Sequence, residues 1–309
     1  MVNQMKTSLT GILPVAPTPF HDDGRVDHEG MTRVIDCIID QGVDAICILA
    51  NYSEQFLLSD AERDTLMRLS LEHTAGRVPL IVTISHFHTG IVVERAKAAQ
   101  AQGATMVMMM PPYHGTGLQA DADGIFEHFA AVSEAIRIPI MVQDAPLSGT
   151  ELSVPLLARM ARELENVSYF KIECPFAANK LEALIEQAGD HIDGPFDGEE
   201  AVTLLADLDA GATGTMTSAL QPECIRPIVS RYLAGDVAGA LEQWQLCLPL
   251  INHENRQCGL RAAKTVMMEG GVISSDHVRH PLRALNARTR DRLLSLSREL
   301  DLIALRWGK

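Results

Sequence analysis

The feature that most constrains the fold is a series of short apolar segments that recur along the first two-thirds of the chain. Eight of them are candidate strands, covering residues 11–18, 44–50, 79–85, 105–111, 138–146, 167–174, 192–197 and 214–218. Amphipathic stretches with helical spacing lie between them, and one carries Met31, Val34, Ile35 and Ile38. Near-continuous apolar runs such as residues 106–110 are typical of parallel strands covered on both faces. The alternation predicts a (β/α)8 barrel, with a doubly wound open sheet as the second choice.

Two observations favour the barrel and define its end. No GxGxxG motif follows the first candidate strand, and polar residues follow many strands instead of gathering at one crevice. After the eighth strand the β-like pattern stops, and residues 237–251, 256–269 and 288–305 show helical spacing. We therefore predict a barrel over residues 1–234 and a C-terminal helical subdomain over residues 235–309, docked against the barrel because no Ser/Gly-rich linker separates them.

Composition and charge limit the expected partners. The 309 residues are 47% hydrophobic and 21% charged, as in ordinary globular proteins. A formal net charge of −14 repels a phosphate backbone, so nucleic acid is not expected to bind. No apolar run reaches the length of about 18 residues that a membrane helix needs, and the N-terminus lacks a secretory signal pattern. Six cysteines without a CxxC motif are predicted to be reduced, so we expect a cytoplasmic enzyme or binding protein.

A lysine interrupts the sixth candidate strand, where a charged side chain is costly unless it is paired or functional. Desolvation is expected to lower the pKa of Lys171 and to supply a neutral amine that attacks a substrate carbonyl. Because strand side chains alternate, Lys171 shares a face with Tyr169 and Glu173, whereas Phe170 and Ile172 face the helices. Spacing alone leaves two interpretations open: a catalytic lysine–carboxylate pair, or an ion pair that stabilises a barrel layer.

Polar and aromatic side chains follow the fifth and fourth candidate strands, and barrel enzymes carry their active sites at the C-terminal ends of the strands. Strand five ends with Gln143 and Asp144, either of which can reach the barrel mouth, although Asp144 also suits a turn cap. Strand four runs into a Pro-Pro turn that presents Tyr113 and His114. We interpret His114 as part of a packed loop and keep Tyr113 as a site candidate.

The loop after the second candidate strand contains Asn51, Tyr52 and Ser53, whose side chains and backbone N–H groups suit a bound carboxylate. An ordinary polar loop is the alternative. His86 and His88 place two imidazoles on one strand face, which is too few ligands for a metal site without a carboxylate at defined spacing. No Walker A, GxSxG or HExxH motif occurs, so we expect neither a metal nor a cofactor.

Several motifs together carry a resemblance to a known family over nearly the whole chain. They are GILPVAPTPF at residues 11–20, Ser53-Glu54 followed by Leu58-Ser59 and Glu62-Arg63, Pro112-Tyr113, and YFKIE at residues 169–173. With these motifs the sequence resembles the dihydrodipicolinate synthase/N-acetylneuraminate lyase superfamily of class I aldolase-type barrels. The resemblance implies that Lys171 forms a Schiff base with the C2 carbonyl of a 2-oxo acid.

Two positions depart from the superfamily pattern. The family's pair of hydroxyl residues that binds the substrate carboxylate falls on Asn51 and Tyr52, and Ser53 replaces a glycine. The family's catalytic tyrosine on strand five falls on Gln143. An amide cannot relay the proton of a C4 hydroxyl, so this replacement is expected to disable C3–C4 cleavage while Schiff-base chemistry remains. With Glu173 as base at C3, the expected outcome is loss of the C4 hydroxyl as water.

Within the superfamily, the segments 50–56, 143–146 and 305–309 are similar to those of the L-2-keto-3-deoxyarabonate dehydratases. These enzymes convert 2-dehydro-3-deoxy-L-arabonate to 2,5-dioxopentanoate in bacterial pentose oxidation. The alternatives are an aldolase of the same family, which releases pyruvate and an aldehyde from 2-keto-3-deoxy sugar acids, and a non-catalytic barrel that binds a sugar acid.

The resemblance also implies roles for the remaining candidates. Gln143 is expected to hydrogen-bond the C4 or C5 hydroxyl, and Tyr113 to act as a proton relay. Asp197 and Gly198, in the turn after the seventh strand, are expected to close the far side of the substrate site. Because the family tyrosine equivalent to Tyr113 acts across a subunit contact, the resemblance implies a homotetramer built from dimers.

Overall fold

The computed structural model describes residues 8–113, 119–145 and 149–309. Within these ranges, eight strands form one parallel sheet in which the second to eighth strands pair in chain order and the first pairs with the eighth. The strands are β1 (Gly11–Ile12), β2 (Ile46–Ile48), β3 (Leu80–Thr83), β4 (Met106–Met109), β5 (Ile140–Asp144), β6 (Val167–Ile172), β7 (Gly194–Asp197) and β8 (Gly214–Thr215). All eight predicted strands are therefore confirmed, each shorter than its apolar run.

The sheet closes on itself between its first and second strands. β8 pairs with β1, and backbone N–H groups of Asp44 and Cys47 donate to the carbonyls of Ile12 and Pro14 at 3.0 and 2.9 Å. Closure gives every strand a neighbour on both sides and leaves the C-terminal strand ends in one ring. The predicted (β/α)8 barrel is confirmed.

Helices follow the strands and cover the outside of the barrel. They are α1 (His28–Asp40), α2 (Asp60–Thr74), α3 (Thr89–Ala101), α4 (Ala122–Ala135), α5 (Val154–Glu163), α6 (Ala177–Ala188), α7 (Leu204–Asp209) and α8 (Pro222–Leu233). Several begin at a side chain that accepts a hydrogen bond from a backbone N–H in the first turn, which stabilises the helix start. These capping residues include Asp27, Ser59, Asp121 and Ser153.

Side-chain alternation along the strands produces two separate cores. An outer core between sheet and helices contains Phe170 and Ile172. The inside of the barrel is filled by Leu13, Val15, Ala45, Cys47, Ile81, Met106, Met108, Met141, Tyr169, Phe196 and Met216. Tyr169 and Met141 belong to this inner core, so the next inward positions on the same strands, Lys171 and Gln143, lie closer to the mouth.

Three helices follow the barrel: α9 (Val237–His253), α10 (Arg261–Glu269) and α11 (Ala287–Glu299). A π-helical turn over Glu254–Cys258 follows α9. The helical tail packs against the barrel, where Arg33 on α1 donates to the Gly271 carbonyl at 2.7 Å. No helix in the described ranges is long and apolar enough to cross a membrane. The domain boundary between residues 234 and 235 stays a prediction.

Candidate active site

A lysine, a carboxylate and an amide form the centre of the candidate site. Lys171 Nζ lies 3.0 Å from Glu173 Oε2, and Gln143 Nε2 donates to the same oxygen at 2.9 Å. The Lys171 side chain is 4% exposed and that of Glu173 is 18% exposed, so the pair is sheltered but reachable from the barrel mouth. Charge-assisted hydrogen bonds of this kind hold both partners in a defined geometry.

The sheet register explains why these three side chains meet. Gln143 on β5 is the direct neighbour of Lys171 on β6. Glu173 continues the ladder, since its backbone N–H donates to the Asp144 carbonyl at 2.9 Å. Lys171 and Glu173 are two residues apart on one extended segment and therefore share the inner face. The predicted pairing of lysine and carboxylate is present in the structure.

The electrostatic surroundings of the lysine differ from the prediction. Burial lowers the pKa of Lys171, but the negative charges of Glu173 and Glu200 outweigh burial and raise the pKa above its ordinary value. The sequence-based expectation of a lowered pKa is therefore wrong. Lys171 rests as an ammonium, and Glu173 is placed to take its proton before the amine can attack a carbonyl.

A glycine after β7 makes room for the lysine stem. A Cβ atom on Gly198 would lie 2.9 Å from Lys171 Cγ, 3.0 Å from Glu173 Cβ and 2.8 Å from the Ile172 carbonyl oxygen. The Gly198 N–H donates to the same carbonyl at 2.9 Å. Gly198 thus borders the site, and because it has no side chain it leaves space for the side chains of Lys171 and Glu173.

Asp197, predicted beside Gly198 as a substrate-binding residue, points away from the inner face. Its strand neighbour Phe196 belongs to the inner core, and Asp197 is fully buried on the other side. Its carboxylate accepts hydrogen bonds from the N–H groups of Glu199 and Ala201, both at 3.0 Å, and from the Thr215 hydroxyl at 2.5 Å. The structure does not bring Asp197 to Lys171, and its bonds shape the loop after β7.

The loop after β2 contains the three residues predicted to bind the substrate carboxylate. The hydroxyl of one of them, Ser53, is already used in hydrogen bonds to the backbone. The Ser53 hydroxyl donates to the Ala16 carbonyl at 2.6 Å and accepts from the Ala50 N–H at 3.1 Å. Asn51 is half-buried, with its side-chain oxygen accepting from Gln55 Nε2 at 2.7 Å. These bonds fold a short 3₁₀ turn, so Ser53 supports the loop instead of presenting a free hydroxyl.

Tyr52 lies at the barrel mouth and packs against the inner core. Burial, followed by the negative charges of Glu200, Glu254 and Glu173, raises the pKa of its phenol. The phenol therefore stays protonated and can donate a hydrogen bond into the site. Of the three predicted loop residues, Tyr52 is the one whose surroundings connect it most directly with the lysine–carboxylate pair.

Tyr113 lies in a different place from Lys171. Its ring makes an edge-to-face contact with Phe56 at 5.2 Å, and both line an open cavity of about 600 Å³ together with Arg63 and Phe87. Phe56 is 52% exposed. Within the described part of this single chain, Tyr113 belongs to an aromatic surface and not to the lysine pocket. His114 lies outside the described residues.

The histidine pair and Asp144 have local structural contacts. His88 Nδ1 accepts from the Ile91 N–H at the start of α3, and His86 Nδ1 accepts from the His88 N–H at 2.9 Å. Asp144 pairs with Lys180 at 2.6 Å, on the side facing α6. Groups of three or more His, Cys, Asp or Glu side chains suited to a metal ion are not found in the described ranges.

The sequence interpretation missed two buried acids, Glu200, whose charge acts on Lys171, and Glu254, which shares Ser218 with Glu200. Glu200 is 5% exposed, and its Oε2 accepts from the Ser218 N–H at 2.5 Å. Glu254, at the start of the π-helical turn, accepts from the Ser218 hydroxyl at 2.5 Å. The sequence does contain a signal for Glu200, because Glu199 and Glu200 follow the seventh strand, where barrel enzymes carry active-site residues. Glu254 had no such signal, since it lies in the helical tail.

A (β/α)8 barrel with a buried lysine–carboxylate pair at the C-terminal strand ends is a fold and site typical of barrel enzymes. Comparison with known proteins identifies the family within this class of enzymes. Residues 8–299 match the dihydrodipicolinate synthetase family model, and the chain belongs to this family.

Individual relatives span the same length. The chain is 57% identical over 298 residues to an L-2-keto-3-deoxyarabonate dehydratase from Azospirillum brasilense, covering 96% of each chain. It is 30% identical to a 4-hydroxy-tetrahydrodipicolinate synthase from Sorangium cellulosum, covering 95% of this chain and 96% of the relative. The crystal structure of dihydrodipicolinate synthase from Aquifex aeolicus shares the fold, with a TM-score of 0.88 at 23% identity over 95% of this chain and 98% of that chain.

Proposed function

We propose that this chain is a Schiff-base dehydratase that converts 2-dehydro-3-deoxy-L-arabonate to 2,5-dioxopentanoate and water. The observation that carries the proposal is the hydrogen-bonded set of Lys171, Glu173 and Gln143, in which an amide stands beside the lysine. Full-length similarity at 57% identity to a protein named L-2-keto-3-deoxyarabonate dehydratase supports the same reaction.

Imine formation begins with proton transfer from Lys171. Glu173 Oε2, 3.0 Å from Nζ, accepts this proton, and the neutral amine attacks the C2 carbonyl of the 2-oxo acid. Glu173 then returns its proton to the former carbonyl oxygen, which leaves as water, so that a protonated imine forms on Lys171 and Glu173 is again a carboxylate. The positive charge next to C3 makes the C3 hydrogens acidic.

Elimination then follows at C3 and C4. Glu173 removes a C3 proton to give an enamine, and the enamine electrons form the C3–C4 double bond as the C4 hydroxyl leaves with a proton. The unsaturated imine next moves a proton from C5 to C3, which leaves an enol at C4 and C5. That enol becomes the C5 aldehyde, and hydrolysis releases the 2,5-dioxo acid from Lys171. One water is lost overall, and no redox partner is needed.

Gln143 explains the choice of dehydration over cleavage. Retro-aldol cleavage needs a base that removes the C4 hydroxyl proton, and an amide has no such basicity. Gln143 donates to Glu173 and has a side-chain oxygen without a hydrogen-bond partner among the described residues. That oxygen is available to accept from a substrate hydroxyl at C4 or C5.

The substrate carboxylate is assigned to the loop after β2. Tyr52 offers a phenol hydroxyl next to the inner core, and Asn51 precedes it in the same 3₁₀ turn. Ser53 acts through its bonds to Ala16 and Ala50, which hold the turn. Gly198 leaves room for the lysine stem, and Asp197 supports the neighbouring loop.

Trapping with borohydride tests the Schiff base. Incubation with pyruvate and borohydride is expected to add the mass of a reduced pyruvyl group at Lys171, and an unmodified Lys171 peptide would refute imine formation. Product analysis with 2-dehydro-3-deoxy-L-arabonate is expected to give 2,5-dioxopentanoate; release of pyruvate would instead identify an aldolase.

Two variants refine the assignment. Glu173→Gln is expected to lower turnover by about 100-fold or more, because proton transfer to a positioned side chain contributes about that much. Trapping at Lys171 is expected to persist, because removing the Glu173 charge lowers the pKa of Lys171 and lets the amine lose its proton to water. Near-native turnover in this variant would place the base elsewhere. Gln143→Tyr is expected to gain measurable pyruvate release, since a phenol at this position can relay the C4 proton.

Assembly and location complete the proposal. The exposed aromatic surface that contains Phe56, Phe87 and Tyr113 supports association with further copies, and we propose a homotetramer built from dimers in which Tyr113 acts across a subunit contact. All six cysteines are free thiols, which supports a cytoplasmic location in L-arabinose degradation. Light scattering measures the assembly, and a monomer at micromolar concentration would contradict it.

A further inference from the structure

A buried carboxylate holds the loop after β7 in a strained shape. Glu200 and Ala201 have φ values of 57° and 65°, a left-handed conformation that is costly for any residue with a Cβ atom. The Asp197 carboxylate accepts hydrogen bonds from the N–H groups of Glu199 and Ala201, each at 3.0 Å. Such a conformation persists only where its surroundings fix it, so the Asp197 carboxylate stabilises residues 199–201, which we call the β7 turn.

The β7 turn borders the lysine–carboxylate pair. Gly198, which precedes it, packs against the side-chain stem of Lys171 and the Cβ of Glu173. The Gly198 N–H also donates to the Ile172 carbonyl at 2.9 Å, which ties the start of the loop to β6. A displacement of the β7 turn therefore changes the wall against which Lys171 rests.

A second buried acid, Asp207 on α7, bonds to Asp197. Both residues are 0% exposed, and their carboxyl groups form a hydrogen bond with each other. Two carboxylates cannot do so, which means that one of the two groups carries a proton. Asp197 already accepts from two backbone N–H groups and from the Thr215 hydroxyl, as a carboxylate does. Asp207 accepts from the Thr203 hydroxyl at 2.8 Å, and its Oδ1 has no donor among the described residues, so the proton belongs to Asp207.

The electrostatic surroundings agree with a protonated Asp207. Burial, followed by the negative charge of Asp197, raises the pKa of Asp207, and Glu199 adds to this effect. Helices α6 and α9 also pack against α7. Their charged residues are engaged or exposed elsewhere: Lys180 pairs with Asp144, His253 bonds to the Thr289 carbonyl, and Glu182, Glu186 and Glu242 are exposed.

We propose that Asp207 is a positioning residue for the candidate site, whose carboxyl proton is donated to Asp197 and keeps the β7 turn against Lys171. The effect on the turn stands on the two aspartates alone, whereas the effect on catalysis rests on the proposed dehydratase function. Loss of the proton leaves two negative charges side by side in the interior, which loosens the bonds between Asp197 and the turn.

The sign of the pH dependence follows from the raised pKa of Asp207. Its stabilising effect is complete below the ordinary carboxyl pKa of 3.8 and is lost as pH rises through the raised value. The β7 turn is therefore expected to be held firmly at acidic pH and to open more often at alkaline pH.

Three variants separate the proton from the side chain that carries it. Asp207→Asn cannot ionise, yet its amide oxygen can accept from Thr203 and its N–H can donate to Asp197 at every pH. Asp207→Ala removes the donor. Asp209→Asn is the matched control, because Asp209 lies on the same helix, is exposed and accepts from the Tyr232 hydroxyl instead.

Hydrogen exchange of the backbone amides in the β7 turn, followed by mass spectrometry on the full chain and corrected for the intrinsic rate at each pH, measures the opening of the turn. Between pH 6 and pH 8, protection is expected to fall about tenfold in wild type and in Asp209→Asn, as one unit of linked pKa shift gives. Asp207→Asn is expected to keep its protection over this range, and Asp207→Ala to be poorly protected at both pH values. A loss of protection in Asp207→Asn equal to that of wild type would overturn the proposal, as would an Asp207→Ala variant protected like wild type at pH 6.

The pH profile of dehydration connects the turn with the site. In Asp207→Asn, kcat is expected to persist to higher pH than in wild type, and in Asp207→Ala it is expected to fall about tenfold or more, because small displacements near reacting groups are costly. If hydrogen exchange behaves as expected but the profiles of Asp207→Asn and wild type coincide, the positioning role is refuted. Wild-type protein without dehydration would refute the proposed function, while hydrogen exchange still decides whether the Asp207 proton holds the turn.

Discussion

Removing Lys264 is expected to destabilise the barrel strongly, because its ammonium group pairs with Glu54, a fully buried carboxylate in the loop after β2. Lys264 Nζ lies 2.7 Å from Glu54 Oε1, and both side chains are 0% exposed. The ammonium also lies 4.3 Å from the centre of the Phe20 ring. Glu54 ends the 3₁₀ turn that begins with Asn51, so the pair ties helix α10 to the loop after β2.

The magnitude follows from what Glu54 retains after the substitution Lys264→Met. Among the described residues, its remaining hydrogen-bond donor is the Arg279 backbone N–H, 3.0 Å from Oε2, and the Arg279 guanidinium acts on it only through its charge, without a hydrogen bond. Removing one partner of a buried ion pair costs about 3–5 kcal/mol, whereas replacing both partners is far less costly. We therefore expect Lys264→Met to lose about 3–5 kcal/mol of unfolding free energy and Glu54→Gln/Lys264→Met to recover part of that loss.

Urea denaturation followed by far-UV circular dichroism measures these differences. The control is Asp123→Asn, which removes a surface pair with Arg159. Because this aspartate is 81% exposed, the substitution is expected to leave the unfolding free energy nearly unchanged. A Lys264→Met variant as stable as the control, or a double variant less stable than Lys264→Met, would refute the reasoning. The first result would mean that the Glu54 carboxylate is hydrated in the fold.

Two further predictions concern the site. Gly198→Ala is expected to slow borohydride trapping of pyruvate at Lys171 at least tenfold, because the new Cβ lies 2.8 Å from the rigid Ile172 carbonyl. Gly124→Ala, whose Cβ meets no atom closer than 3.2 Å, is the control. Equal trapping rates in the two variants would contradict the prediction. Glu254→Gln is expected to flatten the dependence of stability on pH. Glu254 has a pKa of about 7 in the folded protein and 4.5 in the unfolded chain, so its protonated form stabilises the fold below pH 4.5. About 3 kcal/mol of this stabilisation is lost as pH rises through 7. If wild type and variant lose the same stability between pH 5 and pH 8 in urea denaturation, the prediction is contradicted.

The barrel was predictable because its signal repeats. Each apolar run contains one strand of the barrel. The alternation of side chains along a strand correctly assigned Tyr169 and Lys171 to one face and Phe170 to the other. The same rule, applied to β7, assigns Asp197 to the face opposite Phe196. The expectation that Asp197 closes the substrate site came from the family resemblance, which does not take the direction of the side chain into account.

The electrostatics of the site were not predictable from local sequence. The pKa of Lys171 depends on Glu200, which lies 29 positions away in the chain and reaches the lysine only after the barrel closes. The hydroxyl of Ser53 is occupied by Ala16, which comes from the end of the first strand segment. Partners of this kind are set by the three-dimensional neighbours of a loop, and no periodic pattern encodes them.

The helical tail contributes more to the site than its position in the sequence suggests. Glu254 bonds to Ser218 after β8, and Lys264 bonds to Glu54 after β2. Both contacts are buried, so a barrel without the tail leaves two polar clusters at its mouth without their partners, at a cost of several kcal/mol. We infer that the tail folds with the barrel as one cooperative unit, and that the residues which set the charge state at the mouth come from both parts of the chain.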